Sequence, residues 1–143
     1  MDIRKYRTLH TNEIISALES KKICNFITSS DTLNIVPMLY VFDYDNDNFT
    51  FYFININKDK IIHNINNLEK IYISIENSIL GFYIDAYQLI TACGTSEIIN
   101  DTNEQNSILL KFKKRYLSYF NDIDCSYCEY IKVSTDSIIG KQY

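Results

Sequence analysis

Apolar residues recur at every second position in several stretches of this chain, which is the period of a half-buried β-strand. Three phenylalanines share one face of NFTFYFIN, at 48–55, and three isoleucines share one face of KIYISIE, at 70–76. Other stretches are rich in the β-branched and aromatic residues that favour strands. The pattern predicts strands at 23–29, 33–44, 48–55, 70–76 and 128–134, with two strands or one long bent strand between 80 and 100.

Apolar residues at helical spacing predict three helices between these strands. The first covers 12–21, and Thr11 or Asn12 is placed to cap its start. A short second helix covers 59–68, with Asp59 as its N-cap. The third begins near residue 102, where a threonine and a glutamine three residues later have capping-box spacing.

The order of these elements indicates the class of fold. A helix, three strands, a short helix, two or three strands, a helix and a last strand follow one another, and DNDN at 45–48 has the composition of a hairpin turn. Many strands with few helices between them favour a mainly β fold of α+β type, built as an antiparallel sheet or barrel. The chain contains no linker or internal repeat, so we expect one domain over residues 1–143.

Composition narrows the function classes. The 143 residues carry a net charge of −4, whereas a general nucleic-acid binder needs a basic face for phosphates. The amino terminus has no apolar core of a signal peptide, and no apolar run approaches the roughly 20 residues that span a bilayer. We therefore expect a cytoplasmic protein with neither nucleic acid nor membrane as its partner.

Two motifs have a structural and a functional interpretation. Cys125 and Cys128 form a CxxC, which serves either an incidental structural role or a redox or metal role. Tetrahedral zinc needs two further ligands, so no metal site is predicted. DYDNDN at 43–48 places aspartates at alternate positions but has Asn48 where a calcium loop requires glycine, so we interpret it as a solvated hairpin turn.

The only proline of the chain, Pro37, lies inside the strand-like run NIVPMLYVF. Proline cannot donate to a β-ladder, so a central strand should exclude it. Two interpretations are open. Either Pro37 lies on an edge or bulged strand with no ligand nearby, or the strand borders a ligand pocket instead of continuing the ladder.

Several short segments occur in an order that resembles a known family. They are ICNFITSSDT, then VPMLY, then FYFININKDKIIHNI, then a Y-x-x-[VI]-x-x-x-G strand from Tyr87 to Gly94, and finally I-x-G-K at 138–141. This order is similar to that of the FMN-binding split-barrel proteins related to pyridoxamine 5′-phosphate oxidase. Within that family, the chain most resembles the nitroimidazole-resistance and general-stress proteins.

The resemblance implies a split antiparallel β-barrel with a few short helices, forming a homodimer with FMN at the subunit interface. VPMLY would pass beside the isoalloxazine ring, the strand ending at Asn55 would line the same pocket, two lysines would approach the phosphate, and a glutamine would reach in from the second subunit. The implied cofactor contacts are Val36, Pro37, Met38, Tyr40, Phe53, Ile54, Asn55, Lys58, Lys60 and Gln88.

The residues themselves partly agree with such a phosphate site. The amino-terminal end of the helix predicted near Asp59 presents unpaired N–H groups and a positive dipole, and Lys58 and Lys60 add charge. Asp59 departs from the family pattern, which usually has Gly or Ser at this position. Its carboxylate would compete with phosphate for the same N–H groups.

The resemblance also implies an activity, namely electron transfer from a reduced nicotinamide through FMN to a small acceptor, nitroaromatic compounds included. The flavin would carry the chemistry, so no catalytic acid or base is predicted. The alternatives are a non-catalytic flavin-binding or haem-binding protein, with His10 or His63 as the haem ligand, or a degenerate dimeric interaction module.

Overall fold

The computed structural model describes residues 4–29, 32–56, 65–80, 85–125 and 127–143. The elements in chain order are β1 (Arg7–Thr8), α1 (Thr11–Ser20), β2 (Ile23–Thr28), β3 (Asn34–Leu39), β4 (Val41–Asp45), β5 (Asn48–Asn55), β6 (Lys70–Leu80), β7 (Asp85–Ile98), α2 (Thr102–Arg115), α3 (Leu117–Phe120) and β8 (Glu129–Gln142).

The described strands form one antiparallel sheet, in the order β3-β2-β6-β7-β8-β5-β4, with the short β1 paired to β8. The sheet is strongly curled. Phe26 of β2 packs edge-on against Phe53 of β5 with ring centroids 4.8 Å apart, although three strands separate β2 from β5 in the sheet. The predicted fold, a mainly β split barrel with a few helices, is confirmed.

The two open edges of the curled sheet are formed by consecutive segments, β3 and β4. The sequence pattern predicts a single strand over 33–44, but the structure divides this run at Tyr40. Before Tyr40 the chain forms β3 and pairs with β2, and after Tyr40 it forms β4 and pairs with β5; Tyr40 itself belongs to neither strand. The Tyr40 N–H donates to Lys22 O at 3.3 Å, and its carbonyl accepts from Tyr116 Oη at 2.5 Å. Tyr40 is therefore the position at which the barrel splits.

Buried apolar residues in the described part of the chain form two clusters, and the larger fills the barrel interior. Alternate residues of the strands fill it, and α1 covers one end with Ile14, Ala17 and Leu18. The smaller cluster lies between α2, α3 and the outward side of β4 and β5. It comprises Val41, Ile54, Ile99, Ile108, Phe112, Tyr116, Phe120 and Tyr130.

Most predicted elements are confirmed with small shifts. The hairpin turn is confirmed by Asn46 and Asp47, whose φ angles of 50° and 64° are those of a type I′ turn. The N-cap of α1 is His10, whose N–H donates to Glu13 Oε1 at 3.1 Å. Asp101 caps α2 by accepting from Glu104 N at 2.9 Å, so the predicted cap is one residue late.

Two elements are longer than the pattern predicts. The strand predicted at 128–134 is β8, which continues to Gln142 and pairs there with β7 and β1. The strand predicted at 70–76 is β6, which continues to Leu80 and pairs with β7 over its whole length. Pairing with neighbours, not local periodicity, sets both lengths. Of the two alternatives predicted for 80–100, the described residues 85–98 form one long strand, β7, and its ladder to β8 has a bulge after Cys93 that leaves Asp136 without a Cα partner.

The predicted short helix over 59–68 falls mostly outside the described residues. Its last part is a turn, in which Leu68 has a φ of 64°. Ser96 of β7 fixes this turn: its hydroxyl donates to Asn66 O at 2.6 Å and accepts from Glu69 N at 3.1 Å. In the described part of the chain, no helix has the length and apolar character to cross a membrane.

Candidate functional site

The outward side of β2, β3, β6, β7 and β8, here called the outer face, carries exposed apolar side chains. Ile23 is 59% exposed, Ile35 57% and Ile139 50%. Tyr72, on the same face, is 41% exposed. Large apolar side chains such as these are usually buried. A sheet face that presents several of them is typical of a surface covered by a partner or ligand.

Pro37 lies on this outer face, at the open edge of the sheet. The hydrogen bond from Tyr40 N to Lys22 O continues the β2–β3 register one position beyond its last pair, Ile23 with Leu39, and makes Lys22 and Tyr40 a hydrogen-bonded pair. Since hydrogen-bonded and non-hydrogen-bonded pairs alternate, Pro37 and Asn25 form a non-hydrogen-bonded pair. The nitrogen of Pro37 therefore points away from β2, and the missing N–H breaks no ladder bond.

A row of small polar side chains runs across the outer face from Pro37. In register, Pro37 is opposite Asn25, Asn25 opposite Ser74, Ser74 opposite Thr91, and Thr91 opposite Ile139. Asn25 Nδ2 donates to Ser74 Oγ at 3.4 Å. The sequence pattern does not reveal this row, because Asn25, Ser74 and Thr91 come from three strands and meet only through the register of the sheet.

The residues on either side of Pro37 point into the barrel. Val36 is half-buried, and Met38 and Tyr40 are buried in the interior cluster. The hydroxyl of Tyr40 donates to Leu18 O at 2.6 Å and also contacts Lys21 O at 3.1 Å, and burial raises the pKa of its phenol. The structure therefore separates Pro37 from the other predicted members of the VPMLY strand.

The three predicted residues at the end of β5 are all buried. Phe53 faces the barrel interior, whereas Ile54 faces the opposite way and packs in the cluster under α2. Asn55 follows on the same side as Phe53 and lies opposite Glu129 of β8. Both faces of this strand end are thus covered by the chain itself.

Gln88 belongs to a polar network on the inner side of β7, near α1. Its Oε1 accepts from Asn77 Nδ2 at 2.9 Å, and its Nε2 donates to Gln142 Oε1 at 3.0 Å. Gln142 Oε1 also accepts from Arg7 at 3.2 Å. Gln88 and Asn77 line a groove of about 580 Å³ whose other wall is the polar side of α1.

The predicted phosphate site lies outside the described residues, since Lys58, Asp59 and Lys60 fall within 57–64, as does His63. The chain enters that segment from β5 and leaves it at the turn that Ser96 fixes. His10, the other histidine, is exposed at the start of α1.

A second groove, of about 740 Å³, lies between α1, β4 and the end of α2, and sequence analysis does not predict it. Lys111 forms an ion pair with Asp43 in its wall. Arg115 donates to Leu18 O at 2.7 Å and stacks over the Tyr40 ring, 4.8 Å from its centroid. Lys111, Lys114 and Arg115 recur at helical spacing, which is the one signal in the sequence for this charged helix face.

Comparison with solved structures finds the same fold along almost the whole chain. An FAD-binding protein from Mesorhizobium loti has a TM-score of 0.71 at 14% identity, covering 96% of this chain and 98% of that one. A protein provisionally assigned as a pyridoxamine 5′-phosphate oxidase, from Corynebacterium glutamicum, has a TM-score of 0.65 at 15% identity, covering 100% and 96%.

Two further matches differ in what their names say they do. A protein from Bacteroides thetaiotaomicron, provisionally assigned to 5-nitroimidazole antibiotic resistance, has a TM-score of 0.65 at 20% identity, covering 96% of this chain and 87% of that one. The haem storage protein of Vibrio cholerae has a TM-score of 0.63 at 10% identity, covering 92% and 94%. Sequence comparison finds no matching family model and no significantly similar curated protein. The likeness is one of fold.

Proposed function

We propose that this chain binds FMN as a homodimer, with the flavin on the outer face between the two subunits. The observation that carries the proposal is the match along nearly the full chain to flavin-binding and pyridoxamine 5′-phosphate oxidase-like folds. Because one fold serves many functions, the site has to support it separately.

The outer face supports the proposal physically. Its exposed isoleucines and Tyr72 offer an apolar surface to a flat ring or to a second copy of the face, and the row formed by Asn25, Ser74 and Thr91 offers a few polar groups among them. Ligand sites typically combine apolar walls with a small number of polar contacts. A two-fold interface is the commonest way in which a soluble protein covers such a face.

Each predicted contact has a defined part in the proposal. Pro37 borders the ring at the sheet edge, where its backbone leaves no N–H to satisfy. Lys58 and Lys60 hold the phosphate. Gln88, buried on the inner side of β7, acts from behind the outer face, where its bonds to Asn77 and Gln142 tie β6 and β8 to β7. The buried residues Val36, Met38, Tyr40, Phe53, Ile54 and Asn55 fix the strands that shape the pocket.

When bound, FMN supplies two-electron transfer through its N5 atom. The part of the chain is to position the ring, to exclude water from it and to leave one face open for a nicotinamide donor and a small acceptor, nitroaromatic compounds included. The cytoplasmic location expected from the sequence belongs to this proposal.

Titration with FMN tests the binding. We expect saturable quenching of flavin fluorescence, and the absence of quenching would refute the proposal. Lys58→Ala with Lys60→Ala should weaken FMN more than riboflavin, because only FMN carries the phosphate. Lys113→Ala with Lys114→Ala, on α2, is the matched control and should leave both affinities unchanged. Oxidation of NADH by the loaded protein distinguishes an enzyme from a carrier.

The place of the flavin is tested by a charge on the outer face. Ile139→Asp should convert the dimer to a monomer, as measured by size-exclusion chromatography with light-scattering detection. It should also abolish FMN binding. Leu110→Asp introduces the same charge at a similarly exposed position on α2 and should change neither property. A monomeric wild-type protein that still binds FMN would exclude an interface site.

Haem binding is the second candidate, and the match to a haem storage protein favours it. Incubation with haemin followed by an absorption spectrum tests it, because a ligated haem gives a sharp Soret band. His10→Ala and His63→Ala identify the axial ligand if the band appears.

A further inference from the structure

The turn between α3 and β8 holds two thiols that flavin binding does not use. Cys125 and Cys128 are both half-buried, and neither forms a disulfide in this structure. Cys128 N donates to Cys125 O at 3.2 Å. A hydrogen bond between these two backbone atoms holds the two α-carbons within about 7 Å of each other. Disulfides join α-carbons that are roughly 4.4–6.8 Å apart, so this spacing suits a bond between the two cysteines.

The two side chains also contact the same part of the protein. Both pack against the cluster under α2 and α3. Burial raises the pKa of Tyr130 to about 12, and the charges of Cys125 and Cys128 both add to that rise.

The other two cysteines differ from this pair in their surroundings. Cys24 is buried in the barrel interior, where burial raises the pKa of its thiol and keeps it protonated. Cys93 lies on β7 with Ser137 as its Cα partner across the ladder. These two thiols therefore serve as internal controls, one protected and one lacking a cysteine across its strand pair.

We infer that Cys125 and Cys128 form a reversible redox pair, oxidised to an internal disulfide by small disulfide compounds such as oxidised glutathione. One thiolate attacks a glutathione sulfur, which forms a mixed disulfide and releases one glutathione thiolate. The second thiolate attacks the cysteine sulfur of that mixed disulfide, which forms the internal bond and releases the second glutathione. The protein loses two protons and two electrons, and oxidised glutathione gains them as it becomes two molecules of reduced glutathione.

Oxidised glutathione is itself the probe for the experiment. The intact protein is incubated with an excess of it, quenched with an alkylating reagent, digested and examined by mass spectrometry. We expect the peptide with both cysteines to have lost two hydrogens and to carry no glutathione. Dithiothreitol should restore both thiols.

The variants separate the internal disulfide from simple surface reactivity. Cys125→Ser should retain glutathione on Cys128, and Cys128→Ser should retain it on Cys125, because each lacks the thiol that resolves the mixed disulfide. Cys93→Ser should leave the oxidation of the pair unchanged. Wild-type protein that accumulates glutathione on both cysteines, or on neither while no internal bond forms, would overturn the inference. None of these results depends on flavin.

Discussion

Replacing Gly94 with alanine should destabilise the protein strongly, because β8 crosses the place of the missing side chain. A Cβ atom there would lie 2.3 Å from Ser134 O and 2.9 Å from Ser134 C. An ordinary contact between carbon and oxygen needs about 1 Å more. Both atoms belong to the backbone of a strand that is paired on two sides, so β8 can move only by breaking ladder bonds.

The size of the effect follows from what must move. Overpacking a core costs about 1–3 kcal/mol and sometimes more. We expect about 3 kcal/mol for Gly94→Ala, since the obstacle is backbone. Gly140→Ala is the matched control. Its Cβ would meet Leu9 Cδ1 at 2.8 Å and Ile14 Cγ1 at 3.1 Å, which are side-chain atoms with freedom to shift. About 1 kcal/mol is expected there.

Urea unfolding monitored by circular dichroism measures both variants. If the slope of the free energy of unfolding against urea concentration is unchanged, the surface area exposed on unfolding is unchanged. The shift in the urea midpoint then measures the change in stability alone. If Gly94→Ala is no less stable than Gly140→Ala, the close approach of β8 at the bulge does not limit the fold, and the reasoning fails. Both glycines belong to the segments that suggested the family, and in this structure packing explains both.

Three further perturbations test individual contacts. Ser96→Ala removes the hydroxyl that bonds Asn66 O and Glu69 N, and should cost about 1–3 kcal/mol in urea unfolding because two partly buried hydrogen bonds are lost. Tyr40→Phe removes the bond to a carbonyl of α1 and should lower the free energy of unfolding by about 1 kcal/mol. The Arg7 guanidinium lowers the pKa of Glu13 to about 2 from 4.5. The stability that this pair adds should therefore be present above pH 4.5 and disappear as the pH falls to 2. The melting temperatures of wild type and Glu13→Gln should differ above pH 4.5 and converge near pH 2. High salt should reduce the difference between them.

The elements that local patterns define were predictable from the sequence. The alternating phenylalanines of β5 and isoleucines of β6 specify strands with one buried face, and Asn46 with Asp47 specifies the hairpin between β4 and β5. Each of these signals lies within a few residues of the element it defines. The pattern failed at Tyr40, because the break there is imposed by the curl of the sheet and by bonds to Lys22 and Tyr116.

The candidate site was predictable only in part, because a site is assembled from several strands. Pro37 is identifiable by its chemistry, and the structure explains why a proline is tolerated there. It lies on an edge strand, and its nitrogen points away from the neighbouring strand β2. The row that continues from Pro37 through Asn25, Ser74 and Thr91 follows from register, which a single sequence does not specify. The burial of Tyr40 likewise depends on α1 packing above it.

The break at Tyr40 also fixes the length of the chain around it. Because β3 pairs with β2 and β4 pairs with β5, the number of residues between 34 and 45 has to satisfy the pairing at both open edges of the sheet. One residue inserted beside Tyr40 would turn every side chain of one edge strand to the opposite face. The hairpin tip at Asn46 and Asp47 has no such constraint. Among relatives of this chain, length should therefore vary at the tip and stay constant between 34 and 45.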